Sequence, residues 1–177
     1  MKAWNDMELN GLNWAQSGAL SRHYELRNDN GDVLGTLRRR RWWSSYTEVE
    51  APGNRWSFER RGLFRRHIVI QSIGTGDEPA RFDYRGVSEG TLTFPDGRTF
   101  DWRRSNFWGT KWAWIDPEAD TPFLGFQSGG LLRLNGELRI DPGAEDMPLL
   151  AMLIFLGWYL VTLHYEDSSS SVVAVTV

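Results

Sequence analysis

The chain contains no cysteine, which removes disulfides, thiolate zinc sites and a cysteine nucleophile together. That absence suits a reducing compartment, so a cytoplasmic location is expected. Histidine is nearly as scarce, and His23, His67 and His164 are spread too widely for a metal-ligand spacing or a sequence-local triad. Neither a metal nor a cofactor is expected, and no residue is assigned as catalytic. An enzymatic reading would need His164 or His67 in a cavity with a carboxylate and a hydroxyl. Residues Met1 to Gly18 are polar apart from scattered Trp4, Leu9, Leu12 and Trp14, with no apolar core of the kind a secretory signal requires. Lysine is almost missing too: all but Lys2 and Lys111 of the 20 Lys and Arg residues are arginine.

With 177 residues the chain can bury a substantial core without staples, and one domain over 1–177 is the expectation. A formal net charge of -3 argues against bulk nucleic-acid binding, although adjacent arginines leave room for local basic patches. Ten Trp and nine Phe favour pleated, half-buried surfaces, while helix-favouring Ala and Lys are sparse.

Short aromatic and β-branched segments alternate with turn signals, as in a barrel or sandwich rather than in βαβ units. Asn30-Gly31, Gly53-Asn54, Asp96-Gly97 and Asn135-Gly136 supply residues that tolerate the positive φ of tight hairpin turns. Between them the pattern predicts strands at His23 to Arg27, Val33 to Trp43, Tyr46 to Glu50, Arg55 to Arg60, His67 to Ser72, Arg81 to Tyr84 and Thr91 to Phe94. Further strands follow at Thr99 to Arg104, Lys111 to Ile115, Phe123 to Gln127 and Leu131 to Ile140, the last broken by Asn135-Gly136 into two antiparallel arms. Val172 to Val177, nearly all β-branched, predicts a closing strand and brings the total to about twelve. A loose echo links the segment after Asn30-Gly31 with that after Asp96-Gly97, as two hairpins built alike would.

Met147 to Leu163 breaks this pattern: it carries no charge (MPLLAMLIFLGWYLVTL) and is too long for a strand. Asp146 is placed to cap a helix with Pro148 in its first turn. A helix at about 147–164 would have no polar face and must be surrounded on every side. At ~1.5 Å per residue it reaches about 26 Å, at the short limit for a membrane span. A returning strand after it instead favours enclosure by the sheet, and a closed barrel of eleven or twelve strands has room for one axial helix. The fold class expected is therefore mostly β: a closed antiparallel barrel of about twelve strands enclosing one apolar C-terminal helix, with a membrane anchor as the alternative.

This order of a dozen strands, an apolar helix and a short final strand resembles the tubby C-terminal domain, phospholipid scramblases and LURP-one-related proteins. The likeness rests most on the Leu131 to Ile140 segment followed by Pro148-Leu149-Leu150 and Trp158-Tyr159-Leu160, and on Tyr24-Glu25-Leu26, Asn30-Gly31 and Leu37-Arg38-Arg39. The resemblance implies a scaffold that binds phosphoinositides or handles lipid rather than a particular reaction. Scramblases carry an acidic calcium-binding segment just before the helix; here only Asp141, Glu145 and Asp146 stand in that region, too few to carry the calcium site over.

Asp116, Glu118 and Asp120 alternate like the start of a calcium loop, but Thr121 replaces the required Gly and Gln127 the final Glu, which leaves a solvated turn. The arginine clusters are the stronger lead. In Arg38 to Arg41 strand alternation would put two arginines on each face, an arrangement that a bulge, a strand end or an internal ion pair would resolve. In the second cluster Arg60, Arg61, Arg65 and Arg66 flank a glycine and the apolar pair Leu63 and Phe64. Either Leu63 and Phe64 pack under a hairpin with the arginines solvated, or the segment docks on a membrane. In the docking case each arginine near an anionic surface gains about 1 kcal/mol, and a buried Leu or Phe gains ~1.5 to 3 kcal/mol. The function expected is a non-catalytic barrel that docks on anionic phospholipid or phosphate groups at a membrane surface, peripherally and from the cytoplasm. The alternative is a protein-interaction scaffold.

Overall fold

The computed structural model describes residues 9, 11–41, 43–105, 109–130, 133–145, 147 and 149–173. Alternation of apolar and polar side chains becomes twelve antiparallel strands. They are β1 Asn13–Gln16, β2 His23–Arg27, β3 Val33–Arg39, β4 Thr47–Ala51, β5 Asn54–Arg61 and β6 His67–Ser72. The second half comprises β7 Arg81–Tyr84, β8 Gly90–Thr93, β9 Thr99–Arg104, β10 Lys111–Asp116, β11 Thr121–Gly129 and β12 Asn135–Ile140. Each strand pairs with its sequence neighbours and β1 pairs with β12, so the sheet closes as an up-and-down barrel without an open edge. A 3-10 turn at Pro142–Ala144 leads into α1, Leu150–Val173.

Inward positions carry the large apolar side chains. Leu26, Phe58, Ile68, Ile70, Phe82 and Trp114 are solvent-free and meet Leu153, Phe155, Leu156 and Trp158 of α1, also solvent-free. The helix is buried throughout Leu150 to Leu163 because the barrel wall surrounds it, and the enclosed-helix expectation is what the structure shows. Among the described residues no helix is long and apolar enough to cross a membrane. Polar pins fix its depth: Trp114 Nε1 donates to the Leu153 carbonyl at 2.8 Å, and Tyr159 Oη donates to the Ser45 carbonyl at 2.8 Å.

Asn30-Gly31, Gly53-Asn54 and Asp96-Gly97 fall at hairpin turns, with Gly31, Gly53 and Gly97 at φ 82°, 74° and 88°, and the two echoing hairpins are built alike. Asn135-Gly136 does not form a turn. Both residues lie inside β12, paired with β1 and β11, and the turn before them is made around Gly130, at φ 102°. Gly136 has another duty: a Cβ there would sit 2.5 Å from the Trp158 ring, so the glycine opens space for the indole. Leu131 and Leu132, expected in the first arm of that hairpin, lie outside the described residues.

The closing strand is also corrected. Val172 and Val173 belong to α1, Ala174 to Val177 lie outside the described residues, and the barrel is completed by β1 near the N-terminus. The short Asn13–Gln16 segment has only Trp14 as a strong inward residue, and its pairing with β12 depends on contacts remote in sequence. The Asp116-Pro117 segment is the solvated turn expected, with Asp116 Oδ1 accepting from the Glu118 amide at 2.9 Å. Val33 to Trp43 is shorter than expected, since β3 ends at Arg39.

Candidate functional site

Because the strands run alternately up and down, the connections β1–β2, β3–β4, β5–β6, β7–β8, β9–β10 and β11–β12 share one end of the barrel. Helix α1 enters at the opposite end, after β12, and its later residues emerge among these connections. There Glu166 and Asp167, adjacent on α1, meet arginines of the barrel rim. Glu166 is bound by Arg39 at the end of β3 and lies 3.6 Å from Arg22 Nε. Asp167 takes both Nη groups of Arg60, at 2.7 and 3.1 Å, and lies 3.6 Å from Arg66 Nη1.

This arrangement resolves the first arginine cluster. Arg38 faces solvent, Arg39 ends its strand with a side chain only 4% exposed against Glu166, and Arg40 pairs with Glu48 at 2.9 Å. The strand end and the internal ion pair, both structural accounts, apply together. Arg41 stands over the Trp43 ring, 5.8 Å from its centroid.

The second cluster divides into a fixed base and an exposed tip. Arg60 and Arg66 anchor the β5–β6 connection to the helix through Asp167, and Arg66 also lies over the Tyr84 ring at 5.4 Å. Burial works to lower the pKa of Arg60, but the bond to Asp167 outweighs it and the pKa rises. Arg61 pairs with Glu59 at 2.6 Å, while Arg65 has no side-chain partner among the described residues. Gly62, at φ 89°, makes the turn. Leu63 and Phe64 are 93% and 100% exposed, so they do not pack beneath the hairpin.

Burial dominates the titration of the neighbouring rings. It pushes Tyr24 up to about 12, with Glu166 adding to the effect, and Tyr84 to about 12 against the opposing pull of Arg60. His164 is not at a helix C-terminus, since α1 continues to Val173. It packs against the Trp112 ring at 5.3 Å, and burial followed by the Arg104 charge lowers its pKa. It does share a cavity with Tyr84, Ser88 and Asp167, but that space is about 10 Å³, room for no more than one water. His67 bonds instead to the Arg65 carbonyl through Nδ1, at 3.2 Å. Among the described residues no group of His, Asp and Glu has the arrangement of a metal site.

Sequence reasoning missed three exposed apolar residues on the same rim: Leu20 at 99%, Trp43 at 66% and Val87 at 76% exposure. Each stands two positions from an arginine, namely Arg22, Arg41 and Arg85, and that local pairing was the signal available. The carboxylate clamp of Glu166 and Asp167 was missed because its partners are far away in sequence. Comparison with protein-family models, with curated proteins and with solved structures finds no significant match for the chain.

Proposed function

We propose that the barrel is a non-catalytic docking domain that binds anionic phospholipid headgroups at a membrane surface through the β5–β6 connection. The observation that carries this reading is the full exposure of Leu63 and Phe64 between arginines. Exposed tip residues of this size lose nothing by leaving water for the acyl boundary, and guanidinium groups bind phosphate oxygens in forked pairs. Four arginines stand here against Glu59 and Asp167, which leaves an excess of positive charge. The tubby, scramblase and LURP-one resemblance points to the same ligand class.

The second reading is a protein-interaction scaffold, for which an exposed tryptophan patch free of arginines would speak. Trp43 is exposed but has Arg41 over its ring. Beside it Arg40 and Arg41 border an open groove of about 390 Å³ with Ser44, Tyr46, Glu48 and Glu59, but Glu48 holds Arg40 and Glu59 holds Arg61, so the groove is balanced in charge and the anionic-ligand reading rests on the β5–β6 tip.

The test is co-sedimentation of the full-length protein with phosphatidylserine-containing and with neutral phosphatidylcholine vesicles. Inorganic phosphate serves as a competitor, to separate a lipid surface from a free anion. Arg61→Ser with Arg65→Ser removes the outward charges and leaves the Asp167 clamp intact. Loss of vesicle binding at unchanged thermal stability is expected. Binding that survives this change, or equal binding to neutral vesicles, leaves the scaffold reading.

A further inference from the structure

We propose that the barrel docks end-on, with the whole helix-exit rim facing the bilayer and its axis along the membrane normal. The proposal rests on the lipid-docking reading above and extends it from one connection to four. The supporting pattern lies in chain segments remote from one another. Leu20 stands in the β1–β2 connection, Trp43 in β3–β4, Leu63 and Phe64 in β5–β6, and Val87 in β7–β8. Among the described residues the only other large apolar side chain of comparable exposure is Val33, at 48%, at the opposite end of the barrel.

Charge follows the same polarity. Every one of those apolar tips has an arginine within two positions, although Arg85 is paired with Asp101 at 2.9 Å and Arg22 lies 3.6 Å from Glu166. Glu89 is the only acid among the described residues of the connections at this end. The connections at the other end hold Asp29, Asp77, Glu78, Glu118, Asp141 and Glu145, all exposed, and their one base among the described residues, Arg98, is held by Asp96 at 2.6 Å. A barrel with a basic, apolar-tipped end and an acidic end has one orientation on an anionic surface that brings the basic end down and keeps the acidic end in water. Among the described residues the tips stand in four separate connections, an arrangement that suits shallow insertion between headgroups. Trp43, amphipathic and backed by Arg41, belongs at headgroup depth. The two carboxylates on the emerging helix are held by rim arginines and offset part of this charge, but the arginines of the connections at this end, Arg22, Arg40, Arg41, Arg65, Arg66, Arg85 and Arg133, outnumber Glu89, Glu166 and Asp167.

The chain has no cysteine, so single labels can be placed cleanly. An environment-sensitive fluorophore is attached to the full-length protein at Leu20→Cys, Phe64→Cys, Val87→Cys and Val33→Cys, and phosphatidylserine-containing vesicles are added. End-on docking shifts the emission to the blue at 20, 64 and 87 and leaves 33 unchanged. Leu20→Ser, Trp43→Ser and Val87→Ser, all at exposed positions, should each lower vesicle partition roughly tenfold, with thermal melts confirming that each variant is folded. A shift at 64 alone, with a Leu20→Ser/Trp43→Ser/Val87→Ser variant that binds like the wild type, overturns the end-on arrangement and leaves single-connection docking standing. A shift at 33 overturns the orientation. Failure of the wild type to bind these vesicles removes the docking reading and this inference with it.

Discussion

Gly136 of β12 lies directly against the indole of Trp158 in α1, and a Cβ on that glycine would meet the ring at 2.5 Å. Trp158 is in turn stacked on Trp14, opposite Gly136 in the β1–β12 ladder, with centroids 5.5 Å apart and rings 1° from parallel. Two strands and the helix therefore share one joint at the closure of the barrel. Gly136→Ala should cost about 1–3 kcal/mol through overpacking. The share owed to the indole should vanish on a Trp158→Leu background, while the share owed to the Gln127 carbonyl, 2.9 Å from the same Cβ, should remain; denaturant unfolding of the two single variants and the double variant would measure both.

Leu156 is solvent-free at the middle of α1. Leu156→Asp would bury an unpaired charge at a cost of several kcal/mol, comparable to the whole stability of a domain. The expected product is insoluble or unfolded, read by circular dichroism and size-exclusion chromatography. A folded, fully stable variant would mean that the helix can leave the barrel.

Glu166 and Asp167 are neighbours in sequence with unequal roles. Arg39 is almost fully buried against Glu166, whereas Asp167 is 42% exposed and its partner Arg60 retains access to water. Glu166→Ala strands a buried guanidinium and should destabilise by about 3 kcal/mol. Asp167→Ala should cost only about 1 kcal/mol. In the lipid-docking account Asp167→Ala also strengthens vesicle binding several-fold, because Arg60 and Arg66 lose a competing carboxylate. Thermal melts and vesicle partition of the two variants check both halves.

His164 provides a pH prediction. Burial, then the Arg104 charge, hold its pKa below the ordinary 6.5, so the folded state takes up this proton less readily than the unfolded state. Its contribution is therefore complete above about pH 6.5 and is lost as the pH falls from there towards the folded value. His164→Phe keeps the ring against Trp112 and removes the titration. The melting-temperature gap between variant and wild type should widen in favour of the variant between pH 7 and pH 5.

Much of the fold was legible because strand alternation and turn chemistry act locally. His23–Arg27, His67–Ser72, Arg81–Tyr84 and Thr99–Arg104 have the same boundaries in sequence and structure. The apolar helix was legible because a segment with no polar face must be enclosed. The errors arose where a distant partner decides. Asn135-Gly136 has turn composition, but Trp158 claims the glycine. The β-branched end at Val172 and Val173 continues α1, and β1 closes the ladder instead. For the site, Arg60 to Arg66 was visible as a charge run. Its division into a clamped base and a free tip required Asp167, which comes from the far end of the chain. Leu20, Trp43 and Val87 look unremarkable singly and become a pattern only when the closed topology puts their connections on one rim.

The most direct measurement is an ionic-strength titration of wild-type, full-length protein against phosphatidylserine-containing and neutral vesicles. Docking through the basic rim should give reversible association with the acidic vesicles alone, falling steeply as salt shortens the screening length to about 10 Å at 0.1 M. Association equal on both lipids, or absent from acidic vesicles at low salt, would contradict it.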